Sequence, residues 1–432
     1  MQYIPNIIFL VALIIGFGYF IKNSKKIIRN IKLGQKVDAS DHKKERLNNV
    51  IHIALGQSKM VVRPVSGLLH IIVYAGFIII NIEVLEIIID GLFGTHRIFS
   101  SLGSIYGFLI GSFEILAFLV LISVCVFWIR RMVIRVPRFW NKEMTKWPKN
   151  DALNILYFEM VLMSLFLIMN ATDIHFQEMN SGNIISQFLA PLFSGLSEGT
   201  VHIIERSAWW IHILGILVFL NYLYFSKHLH ILLAFPNVYY GSVNPKGKFK
   251  NLESVTKEVK LMMDPSVDPY ATPPEGTEDP GKFGASDVMD LNRTQLLNAY
   301  TCTECGRCTS NCPANQTGKK LSPRKIMMDT RDRLEEVGKN IDENGEFKLD
   351  GKQLLGDYIT NEELWACTTC NACTEACPIS IDPLSIIMDM RQYLVMEQSA
   401  APNELNISLT NIENNGAPWP YNQMDRLNWK EE

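Results

Sequence analysis

The stretch TCTECGRCTSNCP, residues 301–313, returns as ACTTCNACTEACP at residues 366–378. Both read Cys-x-x-Cys-x-x-Cys-x-x-x-Cys-Pro, through Cys302, Cys305, Cys308 and Cys312 and then Cys367, Cys370, Cys373 and Cys377. This is the bacterial iron–sulfur spacing for cubane [4Fe–4S] clusters. The i, i+3, i+6 run curls backbone N–H groups around a cluster, and the proline turns the chain away and removes a donor. Two such runs predict two clusters close enough to exchange an electron. Structural zinc uses two separated Cys-x-x-Cys pairs, which this is not.

Eight of the nine cysteines lie in these runs, and Cys125 sits in an apolar stretch as a small buried hydrophobe. The pattern reads as metal ligation in a reducing compartment, with no disulfide framework. A chain of 432 residues allows two or three domains, and a net charge of -3 argues against nucleic-acid binding. No phosphate-binding glycine loop and no nucleophile triad is present, so the chain has no evident site for organic substrate chemistry of its own.

Working outward, five segments are long and apolar enough to cross a bilayer of ~30 Å. They are residues 4–21, 65–89, 105–129, 153–170 and 208–235. The first lacks a basic n-region and an A-x-A-like cleavage site, so it reads as a retained helix. Lys22, Lys25, Lys26, Arg29, Lys32 and Lys36 follow it, and Arg130, Arg131, Arg135, Arg138, Lys142, Lys146 and Lys149 lie between spans 3 and 4. The positive-inside rule then places the N-terminus outside and the cysteine region in the cytoplasm of an inner-membrane, multi-pass protein. The basic clusters read chiefly as orientation signals, with minor roles at acidic lipid or haem propionates. Residues 183–196, apolar but short and broken by Pro191, suit an interfacial helix.

Nine histidines divide by position. His42, His52, His96, His175 and His202 fall in loops and read as solvated or locally bonded. His70 lies early in span 2. His212 opens span 5, and His228 and His230 close it, with Pro236 expected to stop that helix. His212 and His230 are 18 residues apart; on one unbroken helix they share a face, roughly 27 Å apart. His70 and His230 match in depth on different helices, as the two axial ligands of a b-type haem require. His228 beside Lys227 reads as interfacial. A second haem would need a partner for His212, and the outer half of span 2 offers none. His212 therefore reads either as a quinone-site residue or as a ligand with an unidentified partner, with Glu83 and Glu86 as candidate proton-relay carboxylates.

Residues 236–290 are rich in Pro, Gly and charge and read as a linker with little core of its own. Residues 291–400 regain helical periodicity, with helices expected at 322–337, 361–366 and 383–396. Fifty-four residues separate Cys312 from Cys367, which favours an α-helical ferredoxin domain over the compact βαβ kind. In two-cluster ferredoxins the fourth cysteine of each run ligates the other cluster. One cluster would then use Cys302, Cys305, Cys308 and Cys377, and the other Cys367, Cys370, Cys373 and Cys312. Residues 401–432 read as a partner-docking tail.

Residues 1–235, by their spans, their orientation and the stretches Gly67-Leu68-Leu69-His70, Gly76-Phe77 and Ser226-Lys227-His228-Leu229-His230, resemble the gamma subunit of respiratory nitrate reductase. They are more similar still to the cytochrome b subunits of membrane heterodisulfide reductase-like complexes. The nitrate-reductase type carries two haems and a second histidine along span 2, which this chain lacks. The two cysteine runs, Cys305-Gly306-Arg307-Cys308 and Asn411-Ile412-Glu413-Asn414-Asn415-Gly416 resemble the small iron–sulfur subunit of those complexes and the iron–sulfur subunits of glycolate and glycerol-3-phosphate oxidoreductases. Together the resemblances imply a fusion. They also imply menaquinone or another quinone as substrate, and a separate cytoplasmic subunit with Cys-Cys-Gly motifs, since the chain ends at Glu432 without them. Electron-transfer flavoprotein or a soluble dehydrogenase would feed that subunit. The expected fold is mostly α, a five-helix transmembrane bundle followed by a cytoplasmic α-helical ferredoxin domain. The expected function is electron transfer in a quinone-linked oxidoreductase, through two [4Fe–4S] clusters and haem b. The rival is a non-catalytic, membrane-bound redox sensor or scaffold.

Overall fold

The computed structural model describes residues 3–249, 251, 253–266 and 282–431. Among them there is no strand, and five helices are long and apolar enough to cross a membrane. These are α1 (Ile4–Lys32), α2 (Pro64–Phe93), α3 (Ser104–Met132), α4 (Trp147–Thr172) and α5 (Glu198–Tyr222). Their ends follow local chemistry. Pro64 opens α2 after an extended Arg63, and Gly94 ends it in the left-handed conformation that glycine adopts without penalty. The Ser197 hydroxyl caps the Thr200 N–H at the start of α5.

The bundle is a ring: each helix packs on the next, and α5 closes it against α1. Phe9, Phe113, Phe166, Trp209 and Ile213 fill its core. Some of the polar groups buried there are paired, as a low-dielectric interior favours. The Glu114 carboxylate, fully buried on α3, accepts from Asn170 Nδ2 at 3.0 Å and from the Ile185 and Ser186 N–H groups at 2.7 and 3.0 Å. That grip ties residues 183–196 back onto α3. They add no sixth span, and the expected helix is shorter than the segment: Ser186–Leu189 is α-helical and runs into a 3-10 turn at Ala190–Phe193.

Span 5 also departs from expectation. α5 starts upstream of residue 208 and takes in His202. The helix then breaks into 3-10 turns at Leu223–Phe225 and Lys227–Leu229 before α6 (His230–Tyr240) begins. Ser226 is extended, and its hydroxyl caps the His228 N–H. The one-face relation of His212 and His230 assumed an unbroken helix and does not apply. Pro236 lies inside α6 and does not end it.

Beyond the bundle come α7 (Arg293–Thr301), α8 (Pro323–Asn344), a short helix Asn361–Trp365, α9 (Pro383–Met396) and an exposed α10 (Asn403–Asn415). All three helices expected between 322 and 396 are present. Within 236–290 a helix at Glu253–Met263 was not foreseen, and residues 267–281 of that stretch lie outside the described residues.

Bundle and cysteine region share one apolar core: Ile27, Leu223 and Leu229 pack with Leu296, Leu321, Leu334 and Ile387. α1 runs directly into it. Asn30 Nδ2 donates to Tyr300 Oη at 2.9 Å, Arg29 donates to Gly338 O at 2.9 Å, and Lys26 and Arg29 both pair with Asp342. The basic segment after span 1 is thus also a docking element.

Candidate metal centre

The two cysteine loops are built alike. α7 delivers Cys302 in an extended conformation; Glu304 and Gly306 then take positive φ (55° and 70°), and a helical turn follows at Arg307–Ser310. In the second loop Thr369 and Asn371 hold the same two places with φ of 56° and 58°, followed by a turn at Ala372–Ala376. Alternating left- and right-handed residues turn successive N–H groups to one side, which makes an anion-binding nest.

Cys302, Cys305, Cys308 and Cys377 line one cavity, walled by Met327 and Ile381. Cys367 has Cys312 and Cys370 as its charge neighbours, and Cys373 has Cys367. The first cavity thus brings three cysteines of the first run together with the last cysteine of the second. Burial pushes the Cys302 and Cys373 thiols up to about 12 and Cys377 up to about 11. Thiolates in such surroundings need a compensating cation, which the iron of a cubane cluster would supply.

Arginines fix these loops, and sequence reading missed their part. Arg307 donates to Lys59 O at 3.2 Å and Met60 O at 3.3 Å, just before α2. Arg324, fully buried, donates to Arg138 O at 2.6 Å and pairs with Glu143 at 2.6 Å. Arg391 stacks 4.8 Å from the Trp365 ring and donates to Cys367 O at 2.6 Å. Arg307, set inside the first cysteine run, was the available signal.

Glu304 links the first loop to the bundle. Its buried carboxylate pairs with Lys227 and, at 2.8 Å, with Arg331. Burial alone would raise its pKa, but Lys227 and Arg331 more than offset that and hold it below the usual range.

His70 on α2 and His230 at the start of α6 face each other, with ring centroids 6.5 Å apart. His230 Nδ1 lies 3.2 Å from Lys227 O, which leaves Nε2 free to coordinate. His70 Nδ1 is buried without a partner. A cavity of about 200 Å³ lies on the His230 side of the pair, lined by Phe127, Arg131, Arg138, Ile155, His228 and His230 among others. Arg131 Nη1 and Arg138 Nε are buried there unsatisfied. Two facing imidazoles, apolar walls and two orphaned guanidinium groups fit a b-type haem with its two propionates. His228, 5.4 Å from the His230 ring and 3.6 Å from Glu159, also lines this cavity. Thr303 lines both this cavity and that of Cys302, Cys305, Cys308 and Cys377.

The other end of the bundle holds a polar cavity of about 350 Å³, lined by Glu83, Glu86, Asp173, Glu205, Trp209 and Trp210 among others. Glu86 accepts from Phe99 N at 2.8 Å and from Tyr106 at 3.2 Å, whereas Glu83 Oε2 has no partner. His212 lies one turn beyond Trp209, buried against Phe166, and among the described residues no second histidine ring faces it.

Similarity to known proteins agrees with the cysteine geometry. The family model of the 4Fe-4S dicluster domain matches residues 301–381. This domain is shared by relatives that are named as iron–sulfur oxidoreductases. The chain is 31% identical to the probable iron-sulfur-binding oxidoreductase FadF of Bacillus subtilis, over 99% of this chain and 61% of that protein. It is 24% identical to the EtfAB:quinone oxidoreductase of Syntrophomonas wolfei, over 92% of this chain and 55% of that protein. Over 29% of its length it is 30% identical to one component of a CoB-CoM heterodisulfide reductase of Methanosarcina acetivorans, covering 63% of that polypeptide. The chain thus spans about three fifths of the first two relatives. No solved structure matches.

Proposed function

We propose that this chain is the membrane-embedded electron-transfer subunit of a quinone-linked oxidoreductase. It comprises a cytochrome b-like membrane domain (1–235), a linker (236–290), a two-cluster ferredoxin domain (291–400) and a docking tail (401–432). Cys302, Cys305, Cys308 and Cys377 hold one [4Fe–4S] cluster, and Cys312, Cys367, Cys370 and Cys373 the other. His70 and His230 hold a b haem, with Arg131 and Arg138 toward its propionates. The clusters and the haem, when bound, supply one-electron centres; the protein supplies their order and insulation. The observation that carries this reading is the wall at Thr303, a single residue between the first cysteine cavity and the histidine cavity.

The electron partners are a cytoplasmic iron–sulfur or flavoprotein subunit on one side and menaquinone or another quinone on the other. One relative bears both EtfAB and quinone in its name, which supports electron-transfer flavoprotein as a donor. His212, one turn from the Trp209 that lines the far cavity and without a facing histidine among the described residues, is read as a quinone-site residue. His70→Ala is expected to abolish the b-haem absorbance of the purified protein while membrane insertion and cluster spectra persist. An unchanged haem spectrum in that variant would sink the assignment.

A further inference from the structure

The two cysteine sets meet very different surroundings. The first is pinned to the membrane bundle. Arg307 grips the turn before α2, Arg63 Nη2 donates to Ser310 Oγ at 3.0 Å, and Glu304 holds Lys227. Thr303 then shares its wall with the histidine cavity. The second set opens outward. Cys370 is the one exposed cysteine of the eight, and its neighbour Thr368 is exposed as well.

Exposed ion pairs lie in and just before the second cysteine run, at Glu375 and Glu362. Lys246 pairs with Glu375, with side chains 60% and 59% exposed. Lys320 pairs with Glu362 on the segments leading from Cys312 and toward Cys367. Exposed pairs of this kind contribute little to folding and exchange partners readily. They are well suited to re-pair with a docking protein, and such docking weakens with salt.

We propose that the face around Thr368 and Cys370 is the electron port of the chain, where a flavoprotein docks and exchanges one electron at a time, the donor chemistry that the EtfAB-named relative supports. This rests on the cluster reading above. The set of Cys312, Cys367, Cys370 and Cys373 is then the outer terminal, and the set of Cys302, Cys305, Cys308 and Cys377 the inner one. In the direction of quinone reduction, each visit oxidises the partner's reduced centre by one electron. No bond breaks and no proton moves at this face. Two visits supply the two electrons that, with two protons from water, convert one quinone to its quinol.

The test uses the full chain in detergent, reduced with dithionite and followed by electron paramagnetic resonance. A dysprosium(III) chelate in solution speeds the relaxation of paramagnets near the surface. Cys370→Ser and Cys305→Ser assign the two cluster signals, by altered g-values or by outright loss. Relaxation of the signal assigned by Cys370→Ser is expected to be enhanced several-fold more than that of the other. Equal or reversed enhancement overturns the port. In a second arm, Thr368→Trp lays an indole over the opening. Cluster reduction by photoreduced flavin mononucleotide is expected to slow several-fold while both signals keep their g-values. An unchanged rate also overturns the proposal. Absence of any cluster signal in the unmodified protein would instead overturn the cluster reading itself.

Discussion

Glu304 sits two residues after Cys302 with its carboxylate held by Lys227 and Arg331. Removing one member of a buried ion pair strands the other charges, at a cost of roughly 3–5 kcal/mol. Glu304→Gln is expected to lower stability by about that amount, read as a fall in the thermal midpoint of intrinsic tryptophan fluorescence. The pH dependence follows from its depressed folded pKa. Such a carboxylate stabilises the fold above its unfolded pKa of about 4.5, and the contribution is lost as pH falls through the folded value. The difference between wild type and Glu304→Gln should therefore shrink below about pH 4.5 and stay constant above it. A gap that widens on acidification would contradict the pairing.

Arg131 and Arg138 are orphaned beside the histidine pair, although burial brings the Arg138 guanidinium down only to about 10, so that it stays charged at neutral pH. Replacing both with Gln removes two positive charges beside the proposed haem. The haem midpoint is expected to move by roughly 60 mV or more to the negative side, a tenfold shift for one electron. A redox titration giving the wild-type midpoint would detach these residues from the site. The sequence allowed the basic clusters a minor role at haem propionates but could not say which residues would take it, because orientation signals and buried partners of an anion look the same in one dimension.

At the scale of elements, the decisive contact is the crossing of α1 and α8. A Cβ on Gly338 would overlap the Asn30 side chain, which is itself held by Tyr300. Gly338→Leu should push α1 off α8 and cost about 1–3 kcal/mol, as overpacking of a tight core does. Limited proteolysis would show it as faster cleavage between the bundle and the cysteine region. Wild-type protection would mean that the crossing yields freely. The same scale explains what sequence reading resolved and what it lost. The five spans and the helices at 322–337 and 383–396 stood out because an apolar run or a 3.6-residue period extends over several turns. The break after Tyr222 did not, because Ser226 is a single extended residue inside an apolar segment. Its consequence is large, since it sets His230 on a new helix facing His70, where an unbroken span 5 would have carried it in line with His212.

At the scale of the whole molecule, the basic residues divide between packing and orientation. Both loops rich in Lys and Arg lie at the end of the ring that carries the cysteine region, and part of their charge is spent on it, through Lys26 and Arg29 to Asp342. Lys22, Lys25, Arg130, Arg135, Lys142 and Lys146 are not used in that way, and they outnumber the basic residues of the opposite loops, His aside. Enough charge is left over to orient the protein by the positive-inside rule, which counts Lys and Arg near span ends. The cysteine region is therefore expected on the cytoplasmic face. Trypsin added to inverted membrane vesicles should cut within residues 236–290, giving on a denaturing gel a C-terminal fragment that carries both cysteine runs. The same protease on right-side-out vesicles should leave that stretch intact. Cleavage from the outer side alone would invert the topology. It would place Cys370 and the exposed pairs Lys246–Glu375 and Lys320–Glu362 facing away from any cytoplasmic electron carrier, so the electron port needs this orientation as well as the exposure of Cys370.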